Sequence, residues 1–280
     1  MEYNSATGML LLIITGLITY KGFRDNAFME AYLFEVDRIL IDREWKRLIS
    51  SGFLHGSWIH FGFNMIAMLS FSFSLELAFG VWKFLGLYFF SMIAGNLLAL
   101  YIHRNHGDYR AVGASGAISG VIFASIVLFP EGSISFIGLP FAIKSWIFGL
   151  AFMLVSIFGI KKQADNIGHE AHLGGALAGV AGILVIEPGL FLQNWWVVLL
   201  LVLPTVAFLL LIIRNPAVLM IDSYWGENLS RSRWQGRRRK PGMSPEAEMD
   251  QLLDKIRHHG MNSLSRKERK RLKELREELK

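Results

Sequence analysis

Seven apolar runs dominate this chain, at roughly 7–22, 58–79, 82–102, 114–129, 144–160, 170–187 and 194–213. Runs of this length and composition have few places to go. A stretch of about 20 apolar residues is what crosses the hydrocarbon core of a bilayer as a helix. In lipid every backbone N–H and C=O must be satisfied within the chain, so a row of such runs means a bundle of helices. The expected fold is therefore all-α, a polytopic membrane helix bundle. The first, fourth, fifth and sixth runs are shorter than a straight span needs. Short helices suit the inside of a bundle, or a start below the surface in a water-filled cavity. Hydrophobic residues make up 52% of the chain and mean hydropathy is +0.37, which excludes an ordinary soluble domain.

The net charge of +6 is confined to the C-terminal end, where residues 214–280 carry 17 Lys and Arg against 10 Asp and Glu. A basic tail beside a membrane domain points to anionic lipid rather than nucleic acid. The chain divides into a membrane domain at 1–213, a basic linker at 214–243 that includes Arg231–Lys240, and a small helical hairpin at 244–280. Ser244-Pro245-Glu246 is a helix start, Met249, Leu252, Leu253 and Ile256 recur at helical spacing, and Gly260 is a stop. Ser265-Arg266-Lys267-Glu268 reads as a capping box, with Leu272, Leu275 and Leu279 on one face after it. Cysteine is absent, which excludes disulfides and thiolate metal sites. The first run has an acidic flank at Glu2 and no small-x-small cleavage pattern, so no cleavable signal peptide is expected there. The connection at about 23–57 is long and mixed, with Glu44-Trp45-Lys46-Arg47 and Phe53-Leu54, and is expected to have structure of its own.

Polar groups are costly in lipid and need a reason to be there. Ser115, flanked by Gly113 and Gly116, opens the fourth run. A helix N-terminus aims free N–H groups and a positive dipole end at whatever sits there, which suits an oxyanion. His172 opens the sixth run and is followed by Gly175 and Gly179; Gly116 and Gly120 have the same spacing. Two such glycine faces let helices approach closely, close enough for a serine–histidine dyad. The same spacing also describes glycine packing with two incidental polar residues, and spacing alone leaves both open. His60 and Asn64 are i, i+4 on one helix face, both able to donate hydrogen bonds, and His55 stands at the loop border before them. His169-Glu170-Ala171-His172 is HExH rather than HExxH, so the i, i+4 pair of a zinc site is missing and no metal is expected.

Taken together, these residues resemble the rhomboid family of intramembrane serine proteases, over essentially all of 1–213. The loop motif ends in Arg47; His55, His60 and Asn64 follow at the family spacing; Glu76 matches a second-helix glutamate. The Gly-x-Ser-Gly serine is Ser115, and Ala171-His172 with Gly175 and Gly179 match the late motif. The resemblance implies a six-helix core with a seventh transmembrane helix appended. It implies that Ser115 is the nucleophile and His172 the base, and that His60, Asn64 and the Ser115 N–H hold the oxyanion. No cofactor and no acidic third member are implied. Substrates would be transmembrane segments of membrane proteins. Asp165–His169 and the two-helix tail resemble a subset of bacterial members, which implies a bacterial plasma membrane. Two positions depart from the family. Lys46 stands where many members have tryptophan, and Ser119 where many carry an aromatic that stacks on the catalytic histidine.

The resemblance puts the first loop and the catalytic face outside the cytoplasm, whereas Lys and Arg are concentrated in the first, third and fifth loops and would put those inside. The acidic residues of the first loop weigh for the family orientation; the side taken by the tail stays open. The alternative function is an inactive rhomboid-like protein that binds membrane clients, although such proteins lack the serine or the histidine. A transporter would need paired mid-helix charges or inverted repeats, and the sequence has neither.

Overall fold

The structure is a computed structural model, and it describes residues 5–135, 141–162, 167–214 and, in the tail, 249–250, 252–253, 255, 272 and 275. Its helices are α1 Ala6–Arg24, α2 Asn26–Tyr32, α3 Val36–Leu40, α4 Arg47–Ser50, α5 Trp58–Phe79, α6 Val81–Ile102, α7 Ser115–Leu128, α8 Ser145–Lys162, α9 His169–Ile186 and α10 Gly189–Arg214. Among the described residues, four stretches are long and apolar enough to cross a membrane: Ala6–Arg24, Trp58–Ile102, His169–Ile186 and Gly189–Arg214. The second is broken at Gly80, whose φ of +79° ends α5 and starts α6. Ser115–Leu128 and Ser145–Ile160 are apolar but shorter.

Local chemistry sets the ends. Ser5 accepts the Gly8 N–H at the start of α1, and Ser57 accepts the His60 N–H at the start of α5. Asp25 ends α1 and caps α2 through the Phe28 N–H. Helix α10 starts five residues before the expected 194. Asn194 is non-helical, and its amide donates to the Val127 carbonyl at 2.8 Å; the turn 189–193 joins the apolar helix that follows across this kink.

Helix α7 is buried along its whole length from Gly116 to Val127. Apolar residues all round with no polar stripe are the pattern of a helix enclosed by others. Helices α5, α6 and α9 pack around it. Its 14 residues span about 21 Å, some 9 Å less than a hydrocarbon core of about 30 Å. A helix enclosed by others need not reach either surface.

The all-α expectation needs one correction: two short antiparallel pairs are present among the described residues. Strand β1 (Phe34–Glu35) pairs with β2 (Arg110–Ala111), and β3 (Ser133–Ser135) with β4 (Ala142–Lys144). Outside the hydrocarbon, loop backbone is free to pair in this way. The first pair ties the first loop to the segment leading into Ser115; Val36 N–H to Tyr109 O and Gly113 N–H to Ser51 O extend the tie. The first loop thus has structure of its own, as its length implied.

Residues 222–280 form a separate compact unit. Its described residues are helical, among them Met249, Leu252, Leu253, Leu272 and Leu275. The linker at 231–240, the starts at 244–246 and 265–268, Ile256, Gly260 and Leu279 lie outside the described residues, as do Asp165 and Asn166.

Candidate active site

Ser115 is the first residue of α7, and His172 sits in the first turn of α9. Ser115 Oγ lies 2.7 Å from His172 Nε2. If Nε2 accepts the serine proton, Nδ1 carries the ring hydrogen. Both side chains are half-buried. The first helical bond of α7 is Ile118 N–H to Ala114 O. The N–H groups of Ser115, Gly116 and Ala117 therefore have no partner within the helix and face its N-terminal end.

Glycines allow the approach. A Cβ on Gly175 would run into the Gly116 carbonyl, and one on Gly179 into the Gly120 backbone. Gly116 in turn lies against Ala171, where a Cβ would come within 3.2 Å of the carbonyl oxygen. The four glycines at 116, 120, 175 and 179 are thus the contact surface between the two helices.

Gly113 serves differently. Its φ of +137° is open to glycine and strained for other residues. A Cβ there would sit 2.8 Å from His60 Cε1, 3.0 Å from His60 Nε2 and 3.7 Å from Ser115 Oγ. The imidazole of His60 and the hydroxyl of Ser115 therefore border the same small space. Asn64, one turn along α5 from His60, is buried, and its Nδ2 has no partner among the described residues. A buried amide donor without an acceptor costs stability and is available to an incoming oxygen.

His55 stands behind His60, ring to ring at 5.0 Å and 72°. Thr19 donates to the Phe53 carbonyl at 3.1 Å, which leaves its oxygen to accept the His55 Nδ1–H at 3.0 Å. Burial, helped by the neighbouring His60, pushes the His55 imidazole down to about 3. His55 is thus a neutral, fully buried support for His60.

Arg47 and Glu76 are not brought to the dyad. The buried Arg47 donates to Glu44 at 2.5 Å and to the carbonyls of Glu30 and Leu33 at 2.9 and 2.6 Å, and so knots the first loop. Its hydrogen bond holds the Glu44 carboxyl below the usual range. Lys46, in place of the common tryptophan, lies over the Tyr32 ring at 5.5 Å. Glu76, near the end of α5, accepts the Ser5 hydroxyl and the Thr7 hydroxyl (2.7 Å) and N–H, fastening the start of α1.

Ser119 is engaged with its own helix. It donates to the Ser115 carbonyl at 2.7 Å. Rings that flank His172 include Phe152 of α8 at 5.7 Å and 39°, and His169 at 5.7 Å and 81°. His169 stood out in the sequence only as part of the HExH run; Phe152 did not, because it is one aromatic among many in an apolar run and nothing in its spacing marks it. The HExH run also resolves. Glu170 turns away from His172 and meets His103 Nε2 at 3.0 Å.

Comparison with known proteins gives concordant matches. Residues 42–188 match the family described as Rhomboid domain. Residues 243–278 match a family of unknown function, DUF6576. Rhomboid protein 1, mitochondrial, of Saccharomyces cerevisiae is 35% identical over 136 residues, covering 48% of this chain and 39% of that protein. Rhomboid-like protease 3 of Toxoplasma gondii is 30% identical over 182 residues, 64% of this chain and 66% of that protein. RHOMBOID-like protein 5 of Arabidopsis thaliana is 28% identical over 188 residues, 64% and 59%. In each case the chain spans less than two thirds of the relative's length.

Proposed function

The chain belongs to the rhomboid family, and on that premise we propose that it is an intramembrane serine endopeptidase that cuts transmembrane segments of other membrane proteins. The observation that carries this reading is the 2.7 Å contact between Ser115 Oγ and His172 Nε2. Ser115 attacks the carbonyl carbon of the scissile bond while its proton passes to His172 Nε2. The oxyanion that forms is met by the Ser115 N–H, the imidazole of His60 and the amide of Asn64. His172 then gives its proton to the leaving amine, and water repeats the sequence on the acyl-enzyme. Packing by Phe152 and His169 supports an ordered base ring despite the serine at position 119. The reaction uses no cofactor and no metal.

In this reading α1 and α5–α9 form a six-helix core, α10 is the seventh span, and the site opens to water on the non-cytoplasmic face. The linker at 214–243 and the hairpin at 244–280 form an appendage whose basic residues meet anionic lipid. The bacterial plasma membrane is the setting favoured by the resemblance of 165–169 and of the tail to bacterial members. The deciding experiment is cleavage of a generic transmembrane substrate by purified wild type, Ser115→Ala and His172→Ala. Both variants should be inactive, and the double variant no worse than either, because the pair acts as a unit. Cleavage by folded Ser115→Ala would sink the proposal. A folded wild type that binds substrates without cutting them would favour the client-binding alternative.

A further inference from the structure

Glu170 is a carboxylate buried to 4% exposure, two residues from the base, and the reaction above gives it nothing to do. Its partner, His103, is buried to 7% at the end of α6. The two are 3.0 Å apart. Behind them the His103 ring stacks flat on Tyr109, at 3.6 Å and 6°. Tyr109 is itself fixed: its carbonyl accepts the Val36 N–H at 3.2 Å, and its ring meets Phe34 edge-on at 6.0 Å. Glu170 is therefore tied, through two stacked rings, to the loop framework that also carries Gly113 and Ser115.

The beginning of α9 needs such a tie. Its N-cap is Gly168, which makes no side-chain capping bond. Its glycines pack closely on neighbouring backbone. Gly174 lies against Gly95, where a Cβ would come within 2.9 Å of the Gly95 Cα, and Gly175 lies against Gly116. Contacts of this kind fix how near two helices lie, and a side-chain tie at the first turn adds to what sets the angular position of α9. Residues 170 and 172 are about 200° apart on a helix of 3.6 residues per turn. Glu170 thus reaches toward α6 while His172 reaches toward α7. With side-chain tips about 5–6 Å from the axis, a 10° rotation moves a ring by about 1 Å. That shift breaks a 2.7 Å hydrogen bond.

We propose that Glu170 is a positioning residue: held by His103 against Tyr109, it sets the rotation of α9 and so keeps His172 Nε2 on Ser115. This rests on the protease reading of the dyad, and the test separates the two. Wild type, Ser115→Ala, Glu170→Gln, Glu170→Ala and the double variant His103→Phe/Glu170→Met are purified. Turnover, KM, the rate of Ser115 labelling by a fluorophosphonate and thermal stability are measured for each. Glu170→Gln keeps an oxygen for His103 and should stay within about threefold of wild type. Glu170→Ala should lose about 10- to 100-fold in kcat and labelling rate, with KM within about twofold, as expected for a displacement of about 1 Å. The double variant replaces a buried polar pair by apolar groups of similar size, an exchange that often preserves stability. It should keep its melting temperature yet lose kcat by at least tenfold. A double variant that is stable and cleaves like wild type overturns the inference, as does a Glu170→Gln as impaired as Glu170→Ala, or a loss seen in KM alone. Cleavage by Ser115→Ala overturns the protease reading itself.

Discussion

Replacing Gly175 by alanine adds one methyl group where α9 comes nearest to α7. The new Cβ would lie 2.7 Å from the Gly116 carbonyl carbon and overlap the carbonyl oxygen. Carbon atoms are comfortable at about 3.5–4.0 Å, so the helices must part by about 1 Å. Helix α7 cannot absorb this by retreating, because residues 116–127 are buried on every side and interiors are close-packed. The parting falls one residue from Ser115 and three from His172. A 2.7 Å contact lengthened by about 1 Å is no longer a hydrogen bond. A displacement of that size costs about 10²-fold in rate. The overpacking costs about 1–3 kcal/mol, offset by up to about 1 kcal/mol from replacing glycine inside a helix. Turnover of a transmembrane substrate and thermal unfolding are measured together. Gly86→Ala is the control: no atom lies within 4 Å of a Cβ there, so it should be neutral or slightly stabilising. A Gly175→Ala enzyme with wild-type turnover would refute the link between helix spacing and the dyad, whatever its melting temperature.

Asn64→Ala and His60→Ala should each lower turnover by about 10²–10³-fold while folding is retained, as for loss of one oxyanion donor; unchanged turnover in either removes that residue from the site. Phe152→Ala should lower kcat about tenfold or more by freeing the His172 ring, whereas Phe152→Tyr, which keeps the ring face, should retain most activity; equal loss in both would show that the ring is not what matters. His55 titrates at about 3 in the folded protein against about 6.5 in an unfolded chain. The unfolded state therefore takes up the proton first, and this contribution to stability, full above about pH 6.5, declines as pH falls toward 3. The melting temperature of His55→Gln should depend less on pH between 4 and 6.5 than that of wild type, and parallel curves would contradict the assignment. The basic tail should carry the full-length protein's preference for anionic over neutral vesicles, lost on truncation after Asn215 and screened by salt; a truncated protein with the same salt-sensitive preference would place the lipid contact elsewhere.

The helices were legible because lipid enforces them. The apolar runs at 58–79 and 82–102 match α5 and α6 to within a residue, since a span has no other way to satisfy its backbone. The exceptions are where lipid does not dictate. Turn 189–193 contains Gln193 and precedes the Asn194 kink, so hydropathy could not assign it to α10. The β1–β2 pair joins two-residue strands 75 residues apart, too short for any alternation to show.

The site divides along the same line, and the reason is informational. In an apolar bundle one more apolar residue says nothing about its neighbours, so Phe152 is invisible until α8 is folded against His172. A serine, a histidine or a glycine in the same setting is a departure that needs a cause. Ser115, His172, Gly116 and Gly175 stood out for that reason, and they meet in the structure. Glu170 carried the same signal, yet its cause could not be read, because its partner His103 lies 67 residues away at the end of another helix. Glu76 shows the limit from the other side. It is as conspicuous as Ser115 in an apolar run, but its carboxylate is spent on fastening the first turn of α1. Polarity in such a chain therefore marks positions that apolar packing does not explain, and only folded geometry separates a role in catalysis from a role in assembly.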